Sequence, residues 1–235
     1  MWLSAENIEC IHGFSTRHGG VSPAPYNSLN LGGSEDQPSN IAHNRKIALE
    51  GLGLSAGSLC FLKQVHSSIV CDAVPGPQEG DALVTDQEEL ALAISIADCY
   101  PILFYDDVNK IIGAAHAGWR GTVAEISANT INRMLALGAE AENIKVAIGQ
   151  GICQDNFEVG PEVIEQFKKA GFPGTCFREN KIDLIKCNIF TLRKNNIPEK
   201  NIWSMNRCTF ENDFFSYRRD KGATGRMWAV IAMRK

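Results

Sequence analysis

Residues 90–121 read LALAISIADCYPILFYDDVNKIIGAAHAGWRG, and the fold turns on how this stretch is buried. Positions 90–105 are dense in Leu, Ile and Ala, with polar interruptions only at Ser95, Asp98 and Cys99. Such a run predicts a buried strand, a break near Pro101, and more strand. Asp98 and Cys99 are thereby forced inward, where a carboxylate beside a thiol suffers heavy desolvation unless it is paired or bound to a metal. Residues 111–117 predict a second buried strand carrying His116, and Gly118-Trp119-Arg120-Gly121 turns that strand towards a helix. From Thr122 to Leu137 the apolar Val123, Ile126, Met134 and Leu137 recur at helical spacing, with Thr122 placed to cap the first turn and Gly138 to end the last.

Working outward, 41–51 reads as a short helix stopping at Gly51, 144–148 as a strand, and 161–170 and 183–195 as helices. Residues 225–234 read as a closing strand with Met227, Ala229, Ile231 and Met233 in alternation. Strands in runs with separate helices point to an α+β fold rather than regular βαβ winding. No repeat, low-complexity tract or linker divides the 235 residues, so a single compact domain spanning 1–235 is expected.

Composition removes several function classes. With a formal net charge of −4 there is no basic field to hold a polyanion, so nucleic acid is not an expected partner. No apolar stretch approaches the roughly 20 residues that span a bilayer, so no membrane partner is expected and the chain reads as cytoplasmic. The cysteines at 10, 60, 71, 99, 153, 176, 187 and 208 stand singly with no CxxC pair, as expected of free thiols in a reducing compartment.

The chemistry concentrates on His66, Cys99 and His116. Two imidazoles and one thiolate can hold zinc tetrahedrally and leave the fourth position open, as in a catalytic site. Their separations match no short metal motif, however, and the same residues read as packed core histidines and a core thiol. A third reading makes Cys99 a nucleophile with His116 as its base, which leaves His66 without a role. Asp98 reads either as a proton carrier supporting the ligands or as a structural carboxylate paired with an arginine. The turn at 118–121 offers free backbone N–H groups, a positive helix end and the Arg120 guanidinium, a place for phosphate. The alternative is a tight turn with a surface charge.

Further pieces bear on the choice. They include His12-Gly13-Phe14-Ser15-Thr16-Arg17, Gly19-Gly20-Val21-Ser22, Asn27-Ser28-Leu29-Asn30-Leu31-Gly32 and Asn44-Arg45. Downstream come Gln64-Val65-His66-Ser67, Gly80-Asp81-Ala82-Leu83-Val84-Thr85, Ala97-Asp98-Cys99 and Ala115-His116-Ala117-Gly118-Trp119-Arg120-Gly121. Glu158-Val159-Gly160, Cys208-Thr209, Phe214-Phe215-Ser216-Tyr217-Arg218-Arg219-Asp220 and Thr224-Gly225-Arg226-Met227 complete the order. In this ordered set the chain resembles, over nearly its whole length, the laccase-domain (multicopper polyphenol oxidase-like) purine nucleoside phosphorylase family.

The resemblance implies a mixed β-sandwich flanked by helices, with His66, Cys99 and His116 as ligands of one zinc ion, copper being the alternative. It implies phosphorolysis of adenosine, inosine or methylthioadenosine and hydrolytic deamination of adenosine, with a purine nucleoside and phosphate as small-molecule partners. Arg17, Asn30, Gln64 and Arg120 are the candidate substrate-binding residues, and His66, Cys99, His116 and Asp98 the catalytic ones. Arg45, Arg218, Arg219 and Arg226 either close over substrate or pair with acidic loops; Phe214, Phe215 and Tyr217 stack on a base or belong to the core. His12, His18 and His43 are read as non-ligands.

Deamination requires a metal-activated water, and the H-x-E and P-C-x-x-C signature of zinc base deaminases is absent, so this scaffold would differ from theirs. The family's older name records copper-dependent oxidation of phenols, which a soft N and S site accepts, although multicopper oxidation needs more histidines than the five present. Some members are tied to bacterial cell-wall precursor editing. A metal-stabilised binding or assembly protein without turnover is the remaining class. Two stretches depart from the family: Gly149 is followed by Gln150 and Gly151 where Gly-Pro is usual, and Gly33-Ser34-Glu35-Asp36-Gln37 replaces a His-Val-Gly-Asp-like stretch.

Overall fold

A computed structural model describes residues 1–33 and 35–233. Its first half runs β1 (Trp2–Leu3), β2 (Ile11–Ser15), α1 (Pro38–Glu50), β3 (Leu59–Lys63), β4 (Val70–Asp72), β5 (Gly76–Glu79), β6 (Ala82–Thr85), β7 (Ala91–Ile96), β8 (Tyr100–Asp106) and β9 (Ile111–Ala117). There follow α2 (Trp119–Val123), α3 (Ile126–Ala136), β10 (Ile144–Ile148), α4 (Pro161–Lys169), β11 (Phe177–Arg178), β12 (Lys181–Ile182), α5 (Leu184–Lys194), β13 (Ile202–Ser204) and β14 (Met227–Ala232). Sheet one has the order β1-β2-β14-β7-β3-β5 and sheet two β13-β10-β8-β9-β6-β4. Both are mixed: β3 runs parallel to β5 and β7, and β10 parallel to β13, while β14 is antiparallel to β2 and β7.

The apolar runs are continuous because every face of both sheets is covered. Between the sheets lie Phe14, Leu92, Ile94 and Ile231 from one side and Leu83, Leu103 and Ile112 from the other. The outer face of sheet one, with Trp228 and Val230, packs on Ala48 and Leu49 of α1. The outer face of sheet two, with Ile102, Phe104 and Val146, packs on Ile131 and Met134 of α3 and Leu192 of α5. This is the expected α+β sandwich flanked by helices. The alternation in β14 is likewise observed: Met227, Ala229 and Ile231 enter the core between the sheets, and the intervening residues face α1. Position 234 of the expected strand lies outside the described residues.

Besides shifts of one or two residues at the ends of β14, α4 and α5, three boundaries differ from the sequence reading. The strand break falls at 97–99 rather than at Pro101, which sits inside β8 opposite His116. The turn is made by Asp98 at φ 97, so Asp98 and Cys99 leave the strands and occupy the link from sheet one to sheet two. The helix expected over 122–137 is divided by Glu125 at φ 57 into α2 and α3, and Thr122 is buried mid-helix, accepting from Asn188 Nδ2 at 3.3 Å instead of capping. Gly138, at φ 105, does end α3. Helix α1 begins three residues earlier than read, with Pro38 in its first turn, where a missing N–H costs nothing.

The segment leading into α1 is organised by Asp36, which accepts from Ser22 Oγ at 2.5 Å, Gln37 N–H at 2.8 Å, Asn30 Nδ2 at 3.0 Å and Asn40 Nδ2 at 3.2 Å. Burial alone would raise its carboxyl, but these bonds outweigh burial and hold it below the ordinary value. A depressed folded-state pKa gives stability that is present above the unfolded value near 4 and lost as pH falls through the folded one. Asp36→Asn is therefore expected to be destabilised by about 1–3 kcal/mol at pH 7. Its deficit against wild type should shrink in urea melts as pH drops from 5 to below 3.

Candidate metal centre and cavity

His66 follows β3 in a left-handed turn, at φ 59, whose backbone is bonded to Asp81. The Asp81 carboxylate, with no solvent exposure, accepts the backbone N–H groups of Val65 (3.3 Å), His66 (3.1 Å) and Ser67 (2.6 Å) and the Ser67 hydroxyl (2.7 Å). It also meets His116 Nδ1 at 2.8 Å. An ionised carboxylate can only accept, so His116 carries its hydrogen on Nδ1 and keeps Nε2 for the site. Burial would raise Asp81, but the bonds from His116 and Ser67 prevail and hold it at about 2.

Cys99 arrives from the link between the sheets, completing a group in which one donor atom each from His66, Cys99 and His116 lies within 4.8 Å of the others. The two imidazoles meet edge to face, 80° apart with centroids at 4.9 Å. Burial pushes the Cys99 thiol up, yet the neighbouring His116 and His66 bring it down to about 6. Burial disfavours a charged His116, yet the Cys99 thiolate and Asp81 raise it to about 9. The donor set suits zinc, whose bonds of about 2.0–2.3 Å space tetrahedral donors roughly 3.3–3.8 Å apart, so modest contraction would close it. Gly118 keeps the space clear: a Cβ there would lie 2.8 Å from Cys99 Sγ and 3.3 Å from His66 Cδ2.

The three donors open on a cavity of about 650 Å³, a volume ordinary for a small-molecule site. Asp98 and Gln64 line it, as do the arginines 45, 218 and 226 and the aromatic Phe61, Phe157, Tyr217 and Trp228. Asp98 accepts from Thr209 Oγ1 at 2.6 Å and from the backbone N–H of Arg218 at 2.7 Å, so its arginine partner is a main-chain group. Gln64 clamps β7 by bonding both the carbonyl (2.8 Å) and the N–H (2.7 Å) of Ser95. Asn30 is fully buried and donates to Asp36, while its Oδ1 accepts the N–H of Arg226 at 2.8 Å; it shapes the wall from behind.

Arg17 and Arg120 are not brought into the cavity lining. Arg17 is held by Asn27 at 2.7 and 3.0 Å and lies over Phe215. Arg120 is exposed, with its guanidinium 4.4 Å over the Trp119 ring, and the helix it enters spans only five residues. Arg219 pairs with Asp220 and with three carbonyls, and Phe214 and Phe215 belong to the core between the sheets. Sequence reasoning gave no role to Asp81, although the argument applied to Asp98, a carboxylate beside an apolar strand, applies to it equally. Gln150 anchors the altered loop by donating to Ser15 O at 3.0 Å, in place of a proline ring.

Comparison with known proteins agrees with this architecture. The family described as multi-copper polyphenol oxidoreductase laccase matches residues 11–234. A Deinococcus radiodurans protein named purine nucleoside phosphorylase is 46% identical over 235 residues, covering 98% of this chain and 92% of its own. A Corynebacterium glutamicum protein, also named a purine nucleoside phosphorylase, is 38% identical over 94% of each chain. The crystal structure of YlmD from Geobacillus stearothermophilus superposes with a TM-score of 0.94 at 31% identity, over 100% of this chain and 96% of that one. With the match running from β2 past β14 and full-length relatives on either side, this chain belongs to the multi-copper polyphenol oxidoreductase laccase family.

Proposed function

We propose that the cavity binds a purine nucleoside together with phosphate and that the chain catalyses phosphorolysis of adenosine, inosine or methylthioadenosine. The observation that carries this reading is the meeting of His66, Cys99, His116, Asp98 and three arginines on one cavity of nucleoside size. The names of the relatives support it. Phe61, Phe157, Tyr217 and Trp228 offer π faces for a purine ring. The arginines offer charge to an anion attacking the ribose carbon as it becomes positive. Asp98 keeps lone pairs free after its two hydrogen bonds and serves as the group that takes or returns a proton at the substrate.

His66, Cys99 and His116 are the residues that would hold a divalent ion, zinc by the donor set and copper as the alternative. Such an ion supplies Lewis acidity at that end of the cavity. Hydrolytic deamination of adenosine is the second activity we assign here, favoured by the opening of the donor group onto the same cavity. Among the described residues this is the one cluster of three such donors, which gives a multinuclear copper centre for phenol oxidation too few ligands. A cysteine hydrolase built on Cys99 and His116 leaves His66 unused. The eight cysteines are free thiols and no helix among the described residues is long and apolar enough to cross a membrane, which suits action in the cytoplasm.

Metal-analysed protein incubated with adenosine, with and without phosphate, tests the reading. Adenine and ribose 1-phosphate are expected only when phosphate is present, and inosine in both cases. Absence of all three products would overturn the proposal.

A further inference from the structure

Half of the ten arginines among the described residues face a carboxylate: Arg133, Arg178, Arg193, Arg207 and Arg219 all form ion pairs. Arg45 and Arg226 do not, among the described residues, although both are partly buried on the wall of the cavity. A cation withdrawn from water without a counter-charge is costly, and a pair of them sharing one wall is more so. Burial alone lowers Arg45, and burial lowers Arg226 despite the neighbouring Tyr217, Asp98 and Cys99.

Each guanidinium is tethered by one part only. Arg45 Nε donates to the Leu31 carbonyl at 2.9 Å while the fork lies 5.3 Å from Trp228 and 5.7 Å from Phe61. Arg226 uses one terminal nitrogen for the carbonyls of Thr224 (3.2 Å) and Gly225 (3.0 Å) and lies 5.7 Å from Tyr217. The segment between them is locked to both, since the Leu31 N–H donates to the Arg226 carbonyl at 2.9 Å. There the chain reads Gly32-Gly33, both at positive φ (145 and 66). A Cβ on Gly32 would stand 2.7 Å from an Arg45 terminal nitrogen, and one on Gly33 would stand 3.0 Å from Arg226 Cγ. Side chains at these positions would therefore occupy the space beside the two forks.

We infer that Arg45 and Arg226, with the bare Gly32-Gly33 turn between them, form a clamp for free inorganic phosphate, the co-substrate of the proposed phosphorolysis. The assignment rests on that reading. Two forks with unused N–H groups match a tetrahedral oxyanion, whereas a neutral nucleoside gives no reason to hold two cations that form no ion pair. The clamp shares its cavity with Asp98 and the three donors, so the anion and the sugar it attacks have one common space.

The test is calorimetric titration of the metal-loaded, full-length protein with inorganic phosphate alone, together with KM for phosphate and for inosine. Arg45→Gln and Arg226→Gln should each weaken phosphate binding and raise its KM by about 10- to 100-fold, the worth of charge-assisted hydrogen bonds. The KM for inosine should change at least tenfold less. Arg45→Lys and Arg226→Lys, which keep charge and lose the fork, should fall between and decide the matter if a Gln variant fails to fold. Surface Arg133→Gln should match wild type. Phosphate binding that survives both Gln and Lys substitutions overturns the clamp, as does a wild type that binds a nucleoside 5′-monophosphate but no free phosphate. If wild type binds phosphate at these residues yet makes no ribose 1-phosphate, the clamp stands and the phosphorylase reading falls.

Discussion

Cys99→Ser protein is expected to retain less than about a tenth of the metal held by wild type and to lose turnover by roughly 10³-fold or more, several kcal/mol of transition-state stabilisation. The thiol is the donor whose pKa the site itself brings down, to about 6. A serine hydroxyl stays protonated under the same influences and is a poor ligand for a soft, three-donor centre. The fold should survive, because Cys99 lies in the link between the sheets and contributes to none of the three apolar clusters. Metal analysis and circular dichroism on one preparation separate the two effects. Full occupancy and full activity in this variant would end the metal-site reading.

Asp81→Ala should cost more in stability than any substitution among the proposed ligands. It removes the acceptor of three backbone N–H groups, one hydroxyl and the buried His116 Nδ1, all gathered on a carboxylate with no solvent exposure. Stranding such partners costs about 3–5 kcal/mol, read as a lowered urea midpoint. Metal affinity should fall by about 10- to 100-fold as well, since both the His66 turn and the His116 hydrogen lose their director. Asp81→Asn should recover part of the stability but little of the affinity, because a neutral amide gives a weaker acceptor to His116. Equal behaviour of the two variants would argue that Asp81 is structural only.

What the sequence disclosed follows from which interactions are local. Strands β7, β8 and β9 were legible because burial on both faces writes itself as an unbroken apolar run. β5, reading Gly-Pro-Gln-Glu at a sheet edge, carries no such run and passes for a loop. Helix α1 was recognised but its arginine was not placed, since the periodicity of 41–51 cannot say that Arg45 reaches across the outer face of sheet one to Trp228. Arg120 drew attention for the opposite reason: glycines, a cation and a helix start in sequence make a good local argument. The structure gives that guanidinium a ring to lie on, and α2 ends within five residues. The meeting of His66, Cys99 and His116 has no local signature, so the residues alone left it one reading among three, and the resemblance of the whole ordered set favoured it. The break assigned to Pro101 was displaced by three residues because proline is tolerated near the start of a strand, while the actual turn uses Asp98.

The position of β14 bears on how the molecule is made. It sits between β2 and β7, so residues 227–232 supply the middle of a sheet whose neighbours were synthesised more than 130 and more than 210 residues earlier. While the chain is growing on the ribosome, β2 has only the two-residue β1 beside it and β7 shows an unpaired edge. Sheet one therefore closes after translation has passed β14, through contacts of very high sequence separation, which are slow to form. Until then its apolar strands stay open to chaperones and to one another.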